Sequence, residues 1–273
     1  MKRILIPTNF SDLAHNAIDY AVGMFSYDNV EYILLNTYMR VNTGADMMIY
    51  NTDLGEESKK KLSKELEYVT NKYPSELLNI ESMSEYGSIP TAVNKICESV
   101  DIDYVVMGTK GASGLKRFFF GSNVADVVED VKCPVLVVPE DVKYKPPIKI
   151  AFATDYHGLE DKYFLSPLSE MALQYQSELS VVNVNTEEYY AGERNVDLDV
   201  KLHPELDKVS HKFFQVWNSS IVNGLNTFID EHDLDMLAMI AREHGLLSNL
   251  LGGSVTKELS MLTKIPLLIL HEK

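Results

Sequence analysis

The strongest constraint on what this chain can fold into is that it repeats itself. "DYVVMGTKGASGLKRFFFGSNVADVVEDVKCPVLVVP" closes the first half and "DMLAMIAREHGLLSNLLGGSVTKELSMLTKIPLLILH" closes the second. At a constant offset of 132, Gly121-Ser122 falls on Gly253-Ser254 and Cys133-Pro134 on Ile265-Pro266. The openings match as well, with "RILIPTN" (3–9) over "KIAFATD" (149–155) at an offset of 146. The second half is therefore shorter by 14 residues somewhere in its middle, and the loop 40–57 is the expected place for the excess. Self-similarity on this scale means one domain used twice rather than one large domain. The expected domains are 1–142 and 147–273, with "PEDVKYKPP" (139–147), charged and proline-bearing, as the linker.

Within each half, short apolar runs alternate with amphipathic ones. "RILIPT" reads as a strand, and the following stretch places Leu13, Ala14, Ala17, Ile18, Ala21, Val22 and Phe25 on one helical stripe. Either Ser11 or Asp12 caps that helix. "EYILLNTY", "LNIESMSEY", "DYVVMG" and "CPVLVVP" supply further strands. Helices lie between them, including one with Leu62, Leu66 and Val69 on one face and another over "NVADVVEDV". Strands separated by helices need crossover connections, so the sheet is expected to be parallel and covered on both faces. The expected fold is α/β: two doubly wound, five-stranded, Rossmann-like domains in tandem. The last strands, Val135–Val138 and Leu267–Leu270, would be exposed apolar edges if each half stood alone. Pairing them gives an intrachain pseudo-dimer, favoured because the linker makes the encounter intramolecular. Trp217 is expected in the core, at or beside the third strand of the second half.

Charge excludes some functions. The chain carries 25 Lys+Arg against 40 Asp+Glu, a formal charge of −15, which repels DNA and anionic lipid. No stretch approaches the roughly 18 apolar residues of a membrane span, and Ile4-Leu5-Ile6 before Pro7 is too short for a signal-peptide core. Cys97 and Cys133 have no metal-like or redox-like spacing and read as two buried thiols of a cytoplasmic protein. The scattered histidines form no metal motif.

One stretch runs against the overall charge. "GTKGASGLKRFFFGSN" (108–123) holds four glycines, Lys110, Lys116 and Arg117, and no acid. In open parallel sheets ligands settle beyond the carboxyl ends of strands where strand order reverses. The ends of the first strand (Pro7-Thr8-Asn9) and of the fourth (Met107-Gly108) belong at that rim. Gly108 and Gly111 are expected to permit unusual backbone angles and bring main-chain amides close to a ligand. Gly121-Ser122-Asn123 opens a helix, where unpaired N–H groups and the dipole favour an anion. Ser122 either caps that helix or donates to a phosphate oxygen. The spacing is neither a Walker loop nor G-x-G-x-x-G. Phe118-Phe119-Phe120 is expected to anchor the returning loop, and Met47-Met48-Ile49-Tyr50 is a contact patch, a flap or a tucked-in loop.

The pattern Gly108-x2-Gly111-x9-Gly121-Ser122, together with "ILIPTNFSD" at the start, resembles the nucleotide-binding universal stress protein family, and the resemblance covers both halves. It implies ATP, or another adenine nucleotide with or without Mg, lying across the carboxyl edge of the sheet. It implies a ribose contact at Asn9 beside Pro7 and Thr8, adenine against the backbone of Thr37, and Met107 near base and sugar. Gly108, Gly111, Gly121 and Ser122 match its ribose and phosphate positions, Lys110 its basic or polar one, and Asn123 a backbone contact to phosphate. Asn9 stands where the family usually has aspartate, which removes a carboxylate and lowers the expected affinity. The family includes binders, non-binders and slow ATPases; no catalytic base is recognisable, so at most weak ATPase activity is implied. The expected function is a nucleotide-binding stress-response protein able to form homodimers. The alternatives are a slow ATP-hydrolysing enzyme and an interaction scaffold with a vestigial site.

In the second half Asp155 and Gly253-Ser254 persist, but Ile240 replaces the first glycine and Glu243 the second. A carboxylate about 4 Å from a phosphate costs on the order of 4 kcal/mol at an effective dielectric near 20. One nucleotide per chain, in the first half, is expected.

Overall fold

A computed structural model describes residues 1–26, 29–39, 54–73, 78–110, 122–155, 162–186, 208–241 and 264–271. The first half runs β1 (Lys2–Pro7), α1 (Asp12–Phe25), β2 (Val30–Tyr38), α2 (Leu54–Lys72), β3 (Asn79–Tyr86), α3 (Ile89–Ser99), β4 (Tyr104–Thr109), α4 (Ser122–Asp130) and β5 (Val135–Pro139). The second half runs β6 (Lys149–Ala153), a 3-10 turn (Lys162–Leu165), α5 (Ser166–Tyr175), β7 (Glu178–Asn185), β8 (His211–Trp217), α6 (Ile221–His232), β9 (Met236–Ala241) and β10 (Leu267–His271).

Local chemistry accounts for the helix starts. Ser11 is the N-cap of α1, its hydroxyl accepting from the Ala14 N–H at 3.3 Å, and Asp12 complements the dipole in the first turn. Ser88 caps α3 in the same way, with Pro90 in the first turn, where its missing N–H costs nothing. Ser220 caps α6.

The strands join in one ten-stranded sheet, ordered β3-β2-β1-β4-β5-β10-β9-β6-β7-β8. Every pairing is parallel except β5 with β10, which run antiparallel with Val137 opposite Leu267 and Val135 opposite Ile269. Each half is thus the expected doubly wound unit, and the two sheets fuse at their final strands. Side-chain alternation sends Leu136 and Val138 to one face of the sheet and Val135 and Val137 to the other, each into its own core. The first core includes residues of α1, α2 and α5; the second includes residues of α3, α4 and α6.

Register places the length difference. Tyr32 opposes Ile80 as Leu179 opposes His211, so the copies stand 147 apart at the second strand and 131 apart at the third. The shortening falls between these strands, an interval that contains the loop 40–57; of that loop, only residues 54–57 are described.

The linker is docked rather than a free tether. Asn16 donates to the carbonyls of Pro139 and Val142 at 3.1 and 2.9 Å and accepts from Lys143 at 2.9 Å. Tyr144 lies on α1 at Gly23, where any β-carbon would come within 2.5 Å of its ring. Across the halves, Tyr104 donates to the Pro167 carbonyl at 3.0 Å and Tyr175 to that of Met24.

Two expectations change. Trp217 ends β8, at the edge of the sheet, and is 54 % exposed rather than in the core, since an edge strand has a neighbour on one side only. Cys133 is buried as expected, but Cys97 is only half-buried. Neither is in a disulfide, and the hydrogen bond with Cys133, together with burial, pushes the Cys97 thiol up. Phe118–Phe120 and Met47–Tyr50 lie outside the described residues. Among the described residues no helix is long and apolar enough to cross a membrane.

Candidate functional site

Strand order reverses between β1 and β4, which lie side by side with Ile4 opposite Tyr104 and Leu5 opposite Val105. Their carboxyl ends therefore bring Pro7, Thr8 and Asn9 next to Met107, Gly108 and Thr109. Met107 shares a core with Leu5, Ile33 and Leu35, so alternation along β2 puts Thr37 on the same sheet face, and α4 packs on that face through Val124, Val127 and Val128. The opening residues of α4, Ser122 and Asn123, thus belong to the side of the sheet that carries Met107 and Thr37. Pro7, Thr8 and Met107 are buried, Thr37 is half-buried, and Asn9, Lys110 and Asn123 are exposed. Gly111 and Gly121 lie outside the described residues.

The turn after β1 is tightly wired. The Asn9 side-chain oxygen accepts from the Ser11 N–H at 3.3 Å and the Ser11 hydroxyl at 2.6 Å. That oxygen is committed to the turn, so Asn9 offers a ligand its two amide N–H donors. Phe10 sits at φ +64°, in the left-handed region that a bulky side chain seldom adopts. Its N–H donates to the Thr8 hydroxyl at 3.0 Å. That hydroxyl donates to Glu65 at 3.0 Å, and the other Glu65 oxygen meets His15 Nε2 at 2.9 Å, with His15 stacked on Tyr68. Asn36 donates to the Thr8 carbonyl at 2.8 Å and accepts from Ser58, which in turn accepts from Ser84. The strained turn is thereby overdetermined by α1, α2, β2 and β3. Glu65, 5 % exposed, was not anticipated, although one signal was present: a carboxylate on the buried stripe of α2 with Leu62 and Val69.

Gly108 does not have the expected unusual backbone angle, and it has a further reason to be glycine. It pairs with Val138 as an ordinary strand residue and is not among the positive-φ glycines. A β-carbon there would stand 2.6 Å from the Leu13 carbonyl oxygen and 2.9 Å from Leu13 Cγ. The first turn of α1 lies directly against the β4 backbone and demands a residue without a side chain. Beside it, Thr109 is 4 % exposed, and its hydroxyl is buried with no hydrogen-bond partner among the described residues. Sequence reasoning passed over it, since threonine is ordinary in strands.

The second half repeats one tie: Asn183 donates to the Thr154 carbonyl at 2.9 Å, as Asn36 does to Thr8. The rest differs. Ile240 and Ala241 take the places of Gly108 and Thr109 in the register. Ile240 is buried in a core with Phe164, Leu165 and Leu168. Asp155 is half-buried, while Glu243, Gly253 and Ser254 lie outside the described residues.

At the opposite, amino edge of the first half's strands a cleft of about 410 Å³ is lined by Arg3, Glu31, Glu81, Glu98 and Asp101 among others. Arg3 is already paired with Glu31 at 2.9 Å, so this cleft presents net negative charge and does not suit a phosphate. Among the described residues no group of three or more His, Cys, Asp or Glu side chains could hold a metal ion.

Comparison with known proteins agrees on the fold. The pattern of the universal stress protein family matches residues 1–139 and again 149–271. A Staphylococcus epidermidis protein bearing that family's name is 31% identical over 152 residues, covering 51% of this chain and 88% of its own length. A universal stress protein of Methanocaldococcus jannaschii is 28% identical over 150 residues, covering 52% of this chain and 84% of its own. The crystal structure of a universal stress protein from Archaeoglobus fulgidus superposes with a TM-score of 0.77 at 18% identity, covering 98% of this chain and 97% of that one. Matched in both halves and over most of its length, the chain belongs to the universal stress protein family.

Proposed function

We propose that the protein binds one adenine nucleotide, ATP in the first instance, at the carboxyl rim of its first half and acts as a nucleotide-responsive regulator in stress. The observation that carries this reading is the meeting of the β1 and β4 ends at the switch point, with the start of α4 on the same sheet face. In this reading the Asn9 amide donates to a ribose oxygen beside Pro7 and Thr8. Thr37 and Met107 border the base. Gly111, Gly121, Ser122 and Asn123 supply main-chain N–H groups to the phosphates, Lys110 adds a cation, and Gly108 lets α1 approach β4 so that the two strand ends stay together. Mg would arrive with the phosphates. The second unit (147–273) holds no nucleotide and serves the sheet.

The test is a calorimetric titration of the whole chain with ATP, AMP and adenosine, with phosphate release followed in parallel. One site per chain, with affinity falling as phosphates are removed and with little or no turnover, is the expected result. Two equivalent sites, or no heat at millimolar ATP, would overturn the reading.

A further inference from the structure

We propose that Thr109 is a ligand contact of this rim, its hydroxyl donating to a nonbridging phosphate oxygen of the bound nucleotide; the proposal rests on the nucleotide reading above. The starting point is an imbalance. A buried hydroxyl without a partner loses its hydration and recovers nothing, whereas a valine of the same shape would lose nothing. Strand β4 already carries valine at 105 and 106, so the fold has no evident need of a hydroxyl at 109. The main chain of Thr109 is satisfied, its carbonyl accepting from the Glu140 N–H at 2.9 Å. Only the side-chain oxygen stands alone.

Position supplies the ligand class. Thr109 follows Met107 by two along β4, so it projects to the same sheet face, the one on which α4 packs. It lies between the close contact at Gly108 and the exposed cation of Lys110. A helix start and a cation favour an anion, and a hydroxyl proton best completes its geometry on an anionic oxygen, where the hydrogen bond is charge-assisted. Lys110, exposed and flexible, attracts without orienting. Thr109, held on the strand, orients.

The second half agrees. Thr109 stands opposite Pro139 as Ala241 stands opposite His271, so the matching residue there has no hydroxyl. The hydroxyl is missing from the half whose rim also carries Ile240 in place of Gly108.

The experiment compares the full-length wild type with Thr109→Val and Thr109→Ser. Each protein is titrated with ATP and with adenosine and melted without nucleotide. Thr109→Val is expected to leave the melting temperature unchanged or raised, to weaken ATP about tenfold or more, and to leave adenosine unaffected. Thr109→Ser is expected to stay within about threefold of wild type for ATP, because the donor remains. The proposal is overturned if Thr109→Val binds ATP like wild type, if ATP and adenosine weaken together, or if the melting temperature falls, which would mark a structural hydroxyl. Wild type that binds no nucleotide would instead remove the reading on which the proposal stands, and the proposal with it.

Discussion

The two halves share a sheet, a strand order and the asparagine tie between their first and second strands, yet their rims have diverged. The difference begins with a helix. In the first half α1 starts at Asp12, a few residues after β1 ends at Pro7, and its first turn presses on β4 so closely that only glycine fits at 108. In the second half α5 does not start until Ser166, although β6 ends at Ala153. At the position of Gly108, β9 carries Ile240, buried in the core that also includes Phe164, Leu165 and Leu168. The comparison teaches that the first helix can lie against the β4 backbone only where that strand carries no side chain. Where the helix starts later, the strand carries a buried isoleucine instead.

Four experiments can break or sharpen this contrast. The largest effect is expected from Gly111→Glu, which copies Glu243 into the first half. A carboxylate about 4 Å from phosphate costs on the order of 4 kcal/mol, roughly a thousandfold in affinity, and calorimetry with ATP should show binding lost while the circular dichroism of the fold stays unchanged. Next is Ile240→Ala. If this side chain fills the room left by the late-starting helix, its removal should lower unfolding stability by about 3 kcal/mol in a urea titration. A loss under about 1 kcal/mol would mean the side chain is not packed as described. Third, Gly108→Ala should cost about 2 kcal/mol through overpacking against Leu13, seen as a lower melting temperature. A neutral result would show that α1 can withdraw without penalty.

The smallest effect concerns His271, which stands where the first half has Pro139 and lies near the seam between the halves. Its Nε2 is 2.9 Å from the Val128 carbonyl oxygen, and burial lowers its pKa below the ordinary 6.5. The native state therefore keeps it neutral while the unfolded chain takes up a proton below about pH 6.5. The stability that the neutral ring contributes is whole above that pH and declines as pH falls through the unfolded value towards the folded one. His271→Asn should flatten that part of the stability-versus-pH curve. An unchanged slope would assign the acid sensitivity to other groups.

Much of this architecture was legible from periodicity. The apolar stripe of α1 and the unbroken run Val135-Leu136-Val137-Val138 predicted their elements and the seam because burial on one helix face, or on both strand faces, writes itself into residue spacing. Trp217 misled because a strand's own sequence does not say whether it has one neighbour or two. Gly108 stood out in the sequence, but the close approach of α1 to it did not, since an absent side chain looks the same whether a ligand or a helix needs the room. The Thr8–Glu65–His15 chain was hardly readable, as it joins three elements across 57 residues of sequence. Thr109 was invisible until the surroundings of its hydroxyl were seen, because orphanhood is a property of neighbours.

The antiparallel junction of β5 and β10 has one more consequence. A single-unit relative that assembled through the same edge would be free to exchange its mate, so that its nucleotide stoichiometry would follow whichever copies happened to meet. Here the mate is covalently fixed and differs from its companion, so every molecule is born with the same unequal pair. If the first half alone holds a nucleotide, as proposed, the C-terminal copy still serves it, since Leu267–His271 shields the flank of its sheet.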